Sequence, residues 1–491
     1  MASRSRRRTF LSRRRRLALA TGVAVVAGAL AVPAVDAATG EATAATPSAK
    51  RLHDDFNGDG HRDLAIGAPG AAPGGEGRSG AVSVLYGSSG GLSTSRKQVL
   101  NGPADEYSGG YGAQLQSADL DGDGYADLLS VEGVFLHELG YALVVNWGGP
   151  QGLSTTKTTL TWSPQSEWQG GFTVADVDGD KRPDVVTSST DDWAGEADEA
   201  DGTVWHGPFT RTGQAAKKDT FRVFAGEPAL MHSLTSGDVN GDGVADIVVR
   251  MGGNGSPDSR EAALLLGGSG GLTPKGRLKD AEGRLVGGED AVIGDLNKDG
   301  YGDIVVGRED TSGGSLTVVH GGPAGFSTTR KPVVINQATT GVPGTAEQGD
   351  GMGSGLSVGD TNGDGYLDVA TGLPGEDLNG VTDAGAVLVL RGSANGLTGS
   401  GSKVFTQNTS GVPGTAEKGD KFGAQTALVD ADGDKKDGLV VGAPAENAGN
   451  GSVWVFRATS SGITASGSFS FGPTTMGIPA AGAGFGSSLA D

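Results

Sequence analysis

Short apolar runs alternate with polar, Gly-rich stretches along this chain. Leu64-Ala65-Ile66, Ile247-Val248-Val249, Ile304-Val305-Val306 and Leu439-Val440-Val441 are aliphatic, mostly β-branched, and too short for helices. A second run follows, as in Ala81 to Tyr86, Tyr141 to Val145, Leu316 to Val319, Val387 to Leu390 and Val453 to Phe456. Next comes a turn closed by Gly and an apolar residue: Gly91-Leu92, Gly152-Leu153, Gly271-Leu272, Gly325-Phe326, Gly396-Leu397 and Gly462-Ile463. Such turns need a positive φ, which Gly adopts freely. A further run, such as Lys97 to Leu100 or Pro332 to Ile335, leads to the next unit. The pattern predicts strands joined by turns, an all-β chain.

An acidic stretch precedes each first run, and it recurs seven times with oxygen-bearing residues at positions 1, 3 and 5 of nine and, in six of the seven, at position 9. With position 7 included, the candidate ligands are Asp55, Asn57, Asp59, His61 and Asp63; Asp119, Asp121, Asp123, Tyr125 and Asp127; and Asp176, Asp178, Asp180, Arg182 and Asp184. They continue with Asp238, Asn240, Asp242, Val244 and Asp246; Asp295, Asn297, Asp299, Tyr301 and Asp303; and Asp360, Asn362, Asp364, Tyr366 and Asp368. The seventh set is Asp430, Asp432 and Asp434, with Gly438 at position 9 and Asp437 one place early. Successive first positions lie 64, 57, 62, 57, 65 and 70 residues apart. A period near sixty accommodates four short strands with their turns.

Three units open with an aromatic residue or Met next to Gly, seven residues before the first Asp: Tyr111-Gly112, Met352-Gly353 and Phe422-Gly423. Phe485-Gly486 repeats this signal with no loop after it, while Asp55 to Asp63 has no complete strand before it. The segment Gly484 to Ala490 is therefore expected to supply the first strand of the unit that continues after Asp63. Closure by strand exchange removes the exposed sheet edges of an open array.

Composition narrows this picture. Aromatic residues make up only 5% of the chain, so the core must be aliphatic, and with no Cys there are no disulfides. Residues 1–37 read as a cleaved export signal: Arg4, Arg6 to Arg8 and Arg13 to Arg16, then the uncharged Leu17 to Val32, then Val35-Asp36-Ala37 as a cleavage site. Arg7-Arg8-Thr9-Phe10-Leu11 resembles a twin-arginine signal. Arg6 stands where that signal often has Ser or Thr, which leaves a Sec route open. The apolar run is short for a membrane anchor, and a secreted, extracellular product is expected. Residues 38–52 read as a disordered leader and 53–491 as the repeat domain. Without residues 1–37 the net charge is −27, which argues against nucleic acid or anionic lipid as a partner.

Together these pieces resemble the FG-GAP repeats of the integrin α-subunit N-terminal β-propeller. Phe422-Gly423 and Phe485-Gly486 match the FG, Gly67-Ala68-Pro69 and Gly442-Ala443-Pro444 the GAP, and Gly372-Leu373-Pro374 is a near copy. Units two to four lack the GAP element, and the third has Gly170-Gly171-Phe172 in place of FG. The resemblance covers about residues 53–491. It implies seven blades of four antiparallel strands, metal loops joining first and second strands on one rim, and ligands bound across the opposite rim.

The donor set points to calcium. Each loop offers oxygens, which suit Ca²⁺, whereas Zn²⁺ prefers N or S and Mg²⁺ a stricter octahedron. Position 7 is indifferent to side chain, as expected where the ligand is the backbone carbonyl. Position 6 is Gly60, Gly124, Gly243, Gly300 and Gly365, but Lys181 and Lys435 in units three and seven. An EF-hand would need Glu at position 12, where the chain has Ile66, Ser130, Thr187, Val249, Val306, Thr371 and Val441. Plain solvated turns are the competing reading. Against it, two charges 4 Å apart repel by about 4 kcal/mol at an effective dielectric near 20. Five to seven Ca²⁺ are expected, in a structural role.

No catalytic residues emerge. The six His (53, 61, 137, 206, 232 and 320) are scattered and read as core or surface residues. Gly87-Ser88-Ser89-Gly90-Gly91 and Gly267-Gly268-Ser269-Gly270-Gly271 fit G-x-S-x-G, yet the equivalent turns Gly148 to Gly152 and Gly321 to Gly325 have no such Ser. Carboxylate pairs for sugar hydrolysis stay open, since loop acids can meet in space. Recognition is expected on the rim away from the metal loops, at Ala68 to Ser79, Pro374 to Ala384, Pro444 to Asn450 and the connectors before each first strand. Two connectors, Gly341 to Asp350 and Gly411 to Asp420, are nearly identical, which is read as recent duplication of a structural loop. Asp192 to Asp201 is an acidic insert, read as a solvated excursion. The expected function is a secreted, monomeric, non-catalytic adhesion or recognition module for extracellular protein or glycan. A polysaccharide hydrolase or lyase, or a lectin, on the same scaffold is the alternative.

Overall fold

A computed structural model of the chain describes residues 52–490 except 76, 103–107, 135–139, 164–170, 189–200, 225–230, 253–259 and 310–311. The expected export signal and leader lie outside the described residues, Leu52 apart. So do His137 to Leu139 and all of the acidic insert but Asp201.

The apolar runs form seven antiparallel sheets, each of four successive strands from the axis outward. Blade one is Leu489–Ala490, Leu64–Ala68, Ala81–Leu85 and Lys97–Asn101. Blade two is Leu115–Ala118, Asp127–Val134, Gly140–Asn146 and Lys157–Ser163, with Ser108–Gly109 added beside its second strand. Blade three is Phe172–Ala175, Asp184–Ser188, Gly202–His206 and Lys217–Phe221. Blade four is Met231–Gly237, Asp246–Met251, Glu261–Leu266 and Thr273–Arg277. Blade five is Asp290–Gly294, Asp303–Arg308, Ser315–Val319 and Val333–Ile335. Blade six is Ser354–Gly359, Asp368–Leu373, Ala386–Arg391 and Thr398–Phe405. Blade seven is Gln425–Val429, Gly438–Ala443, Ser452–Arg457 and Thr464–Phe471. Each innermost strand touches those of the two neighbouring blades, and the circle closes from blade seven through blade one to blade two. The architecture is a seven-bladed β-propeller.

Closure occurs as expected from the repeat phase. Ala490 pairs with Ala65 and Leu489 with Ile66. The Gly67 N–H donates to Ser488 O at 2.9 Å, and the Gly486 N–H donates to Gly67 O at 2.9 Å.

Seven clusters of buried apolar side chains lie one at each blade–blade boundary. Strand residues alternate between two of them. In blade six, Val387 and Val389 face blade seven, while Ala386, Leu388 and Leu390 face blade five. Both faces of such a strand are covered, so its sequence is continuously apolar. The FG and GAP signals meet at these boundaries. Tyr111, Met352, Phe422 and Phe485 are fully buried, each bridged to a Gly that opens the third strand of the preceding blade (Gly80, Gly314, Gly385 and Gly451). A Cβ on Gly67, Gly372 or Gly442 would collide with the carbonyl oxygen of Gly112, Gly423 or Gly486 in the next blade. The two motifs are thus halves of one close backbone approach.

The innermost strands surround a cavity of about 740 Å³. Polar side chains join these strands. Ser357 Oγ lies 2.7 Å from Thr426 Oγ1 and Thr173 Oγ1 2.9 Å from Ser236 Oγ, while Gln116 Oε1 accepts the Val174 N–H at 2.8 Å. Asp290 is the sole acid among the described lining residues. It accepts the Leu356 N–H at 2.7 Å and faces the half-buried Arg250 at 3.9 Å. Among the described residues, no helix is long and apolar enough to cross a membrane.

Candidate metal centres

Six of the acidic loops join the first and second strands of a blade, the Asp55 to Asp63 loop leads directly into the second strand of blade one, and all seven precede a second strand. The backbone accounts for their shape. Position 4 has φ between 61° and 83° in every loop (Gly58, Gly122, Gly179, Gly241, Lys298, Gly363 and Gly433). Position 6 is also left-handed throughout, including Lys181 at 68° and Lys435 at 66°. These two reversals turn successive N–H groups inward. In all seven loops the position 6 N–H donates to one oxygen of the position 1 Asp, from Gly60 to Asp55 at 2.8 Å through Lys435 to Asp430 at 3.0 Å. In all seven the position 7 N–H donates to Oδ1 of position 5. The position 7 side chain varies freely because this bond uses only its backbone; Lys436 and Arg182 also pair with the Asp at position 5 of their own loops, at 2.7 and 3.9 Å.

Position 9 does something different. Asp63, Asp127, Asp184, Asp246, Asp303 and Asp368 are fully buried. Asp63 accepts the Phe56 N–H at 2.9 Å on one oxygen and the Gly87 N–H at 2.8 Å on the other. The same double clamp holds Leu120 and Gly148 on Asp127, Val177 and Gly207 on Asp184, Val239 and Gly267 on Asp246, and Thr361 and Gly392 on Asp368. Asp303 accepts from Asn297 Nδ2 and Gly321 N instead. This carboxylate ties the loop to the end of the third strand. A Cβ on any of those six glycines would strike the position 8 carbonyl. Blade seven has Gly438 in place of the Asp and Ala458 in place of the Gly, so clamp and close approach are lost together. Its Asp437 turns to loop six, accepting the Asp360 N–H at 2.7 Å, and faces Arg62 at 3.5 Å.

Burial makes the carboxyls of Asp63, Asp127, Asp184, Asp246 and Asp368 hard to ionise. It pushes Asp63 and Asp127 up to about 8 and Asp184 and Asp246 to about 6; the clamping N–H groups oppose the rise and the other loop acids add to it. A divalent ion would reverse that balance. In loops two, three and seven, three carboxylates bring ligand oxygens within 4.8 Å of one another: Asp119, Asp121 and Asp127; Asp176, Asp178 and Asp180; Asp430, Asp432 and Asp434. In loop five, Asn297 is buried and its Oδ1 has no hydrogen-bond partner, a bare oxygen suited to a hard cation. The donor sets therefore fit Ca²⁺.

Several residues that sequence reasoning passed over stand at these loops. His206 is buried, with Nδ1 3.0 Å from Asp178 Oδ2 and 3.4 Å from Asp184 Oδ1. This gives loop three a mixed nitrogen and oxygen donor group. His320 Nδ1 lies 2.9 Å from Asp303 Oδ1. Arg391 Nη1 lies 2.7 Å from Asp368 Oδ2. His206 and Arg391 end a third strand and His320 follows one, each directly before the clamping Gly, and that offset was the available signal. Arg96 and Arg211 hold the outer oxygens of Asp59 and Asp123 at 2.7 and 2.5 Å.

The FG-GAP repeat model matches residues 53–85, 352–390 and 422–456, in blades one, six and seven. The chain carries FG-GAP repeats. It is 35% identical over 115 residues to integrin alpha-6 of Homo sapiens, covering 22% of this chain and 9% of the relative. It is 32% identical over 183 residues to integrin alpha-PS5 of Drosophila melanogaster, covering 34% and 17%. It is 34% identical over 148 residues to phosphatidylinositol-glycan-specific phospholipase D of Homo sapiens, covering 28% and 17%. The match thus spans less than a fifth of each of these relatives.

Proposed function

We propose that this FG-GAP propeller is a secreted, calcium-stabilised recognition module that binds an extracellular protein or glycan and catalyses nothing. The carrying observation is the uniform hydrogen-bond geometry of seven oxygen-rich loops on one rim. Ions there tie strands within a blade and leave the opposite rim for recognition. The integrin alpha chains it resembles and the charge of −27 after signal removal support an extracellular setting without nucleic acid. Each Ca²⁺ stabilises by about 2.7 kcal/mol at a hundredfold excess over its Kd.

The rival is a polysaccharide hydrolase or lyase. It needs two carboxylates flanking one bond. Asp290 stands alone among the described residues lining the central cavity and is held by Arg250. Arrays of glycans and of extracellular proteins, probed with and without EDTA, test the reading. Calcium-dependent binding without turnover supports it; turnover of any polysaccharide replaces it with the enzyme, and glycan binding in pockets between blades makes the protein a lectin.

A further inference from the structure

The rim opposite the acidic loops carries a second, repeated group of oxygen donors. Where blade five meets blade six, Gln337 Nε2 donates to Glu376 Oε2 at 3.3 Å and Gln337 also hydrogen-bonds Asp350. Where blade six meets blade seven, Gln407 Nε2 donates to Glu446 Oε2 at 2.9 Å, and Asp420 is in hydrogen-bonding contact with Glu446. Asp350 and Asp420 are 1% and 3% exposed. Both are fixed by their own connector, accepting the N–H of Glu347 and Glu417 at 2.7 Å. Among the described residues no Lys, Arg or His forms an ion pair with any of these four carboxylates.

A second observation points to a ligand. Gln337 and Gln407 are 5% and 3% exposed, and the Oε1 of each has no hydrogen-bond partner. Each amide lies among the carboxylates, because its Nε2 is bonded to one of them. A proton shared between the acids would relieve their repulsion and leave the Gln oxygen bare. Turning the amide over would set its oxygen against a carboxylate oxygen. A cation between the carboxylates, with the amide turned so that its oxygen faces the ion, would neutralise the acids and take up that oxygen.

The chain supplies its own control. The backbone at the boundary of blades seven and one repeats the same bonds: Gly70 N–H donates to Ala483 O as Gly375 N–H donates to Asp350 O, both at 3.0 Å. Gly80, Gly385 and Gly451 donate to the carbonyls of Ala71, Glu376 and Glu446 at 2.9, 3.0 and 2.9 Å. Ala483 thus stands for the Asp, Ala71 for the Glu, and Pro473, two residues after Phe471, for the Gln that follows Phe405 by two. All three donors are lost together, and both alanines are fully buried in an apolar cluster. The three groups are thus kept or replaced as one unit.

The structure assigns to Gln337, Asp350 and Glu376, and to Gln407, Asp420 and Glu446, two sites for a hard divalent cation of the Ca²⁺ class on the rim opposite the acidic loops. Side-chain oxygens alone suit such an ion, with water completing the shell from the exposed side. Each ion would pin a connector to the loop between second and third strands, the segments expected to form a recognition surface. This inference does not rest on the acidic loops binding metal.

Crystals of the wild-type chain grown with Ca²⁺ and measured at long wavelength provide the direct test. Anomalous peaks are expected at both triads and none between Ala71 and Ala483. Equilibrium dialysis then compares wild type with the Glu376→Gln/Glu446→Gln variant, which should bind two fewer Ca²⁺ per chain. Asp59→Asn and Asp364→Asn, in the acidic loops, should lower the count independently. Peaks at the triads with vacant loops would leave this proposal standing and remove the calcium role proposed for the loops. Maps without density at the triads would overturn it, whether or not the double variant folds. An unchanged count in a folded double variant would do the same.

Discussion

Ala490 is the cross-strand neighbour of Ala65, so the innermost strand of blade one comes from the far end of the chain. Phe485, just upstream, is fully buried and meets Phe471 edge-on at 5.7 Å. The ring thus holds by a two-residue ladder, its flanking backbone bonds and one aromatic plug.

Removing that plug should open the ring. Phe485→Ala is expected to cost about 3–5 kcal/mol, the usual range for an aromatic deleted from a core. A lowered urea midpoint and a larger hydrodynamic radius before full unfolding would report it. An unchanged midpoint would mean that closure contributes little.

Calcium should carry much of the stability. Melting temperature is expected to fall by many degrees in chelator and to recover with Ca²⁺ but poorly with Mg²⁺, which dehydrates reluctantly and demands a regular octahedron. Identical melting curves in chelator and in Ca²⁺ would refute a stabilising role.

Two acids of one loop should behave differently. Asp63→Ala leaves the buried N–H groups of Phe56 and Gly87 unpaired, at a cost of about 1–3 kcal/mol each. That loss should appear even in chelator. Asp59→Asn keeps the fold and should be within about 0.5 kcal/mol of wild type in chelator, while weakening the response to Ca²⁺. Calorimetry in both buffers separates the two outcomes.

The calcium effect should grow with pH. Asp63 and Asp127 rise to about 8 in the folded, metal-free chain, against an ordinary value of 3.8. Folded metal-free protein therefore binds more protons than unfolded chain between these values, and its stability declines as pH rises through that window. Ca²⁺ binds the ionised form and offsets the decline. The melting difference between Ca²⁺ and chelator should widen from pH 5 to pH 8; a difference that narrows would contradict the assignment.

Lys181 and Lys435 sit at φ of 68° and 66°, where five other loops have Gly. Relief of this strain should make Lys181→Gly and Lys435→Gly more stable by about 1 kcal/mol. Gly124→Val, at φ of 98°, should destabilise loop two. Thermal melts of the three variants check the sign.

Much was legible in the chain itself. Period, strand runs and the phase of Phe485-Gly486 announced seven four-stranded units and their closure, because pleat and turn chemistry are local. The acids at positions 1, 3 and 5 were legible for the same reason. Their loop geometry depends on two left-handed residues inside nine. The division of labour at position 9 was not legible. Asp63 and Asp59 look alike in sequence, and only the approach of Gly87 from the third strand makes Asp63 a buried clamp. His206 and the two Gln–Asp–Glu groups were hidden likewise. His206 lies 22 residues from Asp184, and Gln337 lies 39 residues from Glu376. Local pattern determined which strands and loops exist. Tertiary packing decided which polar groups leave water together, because burial and partners are properties of the closed ring rather than of any segment within it.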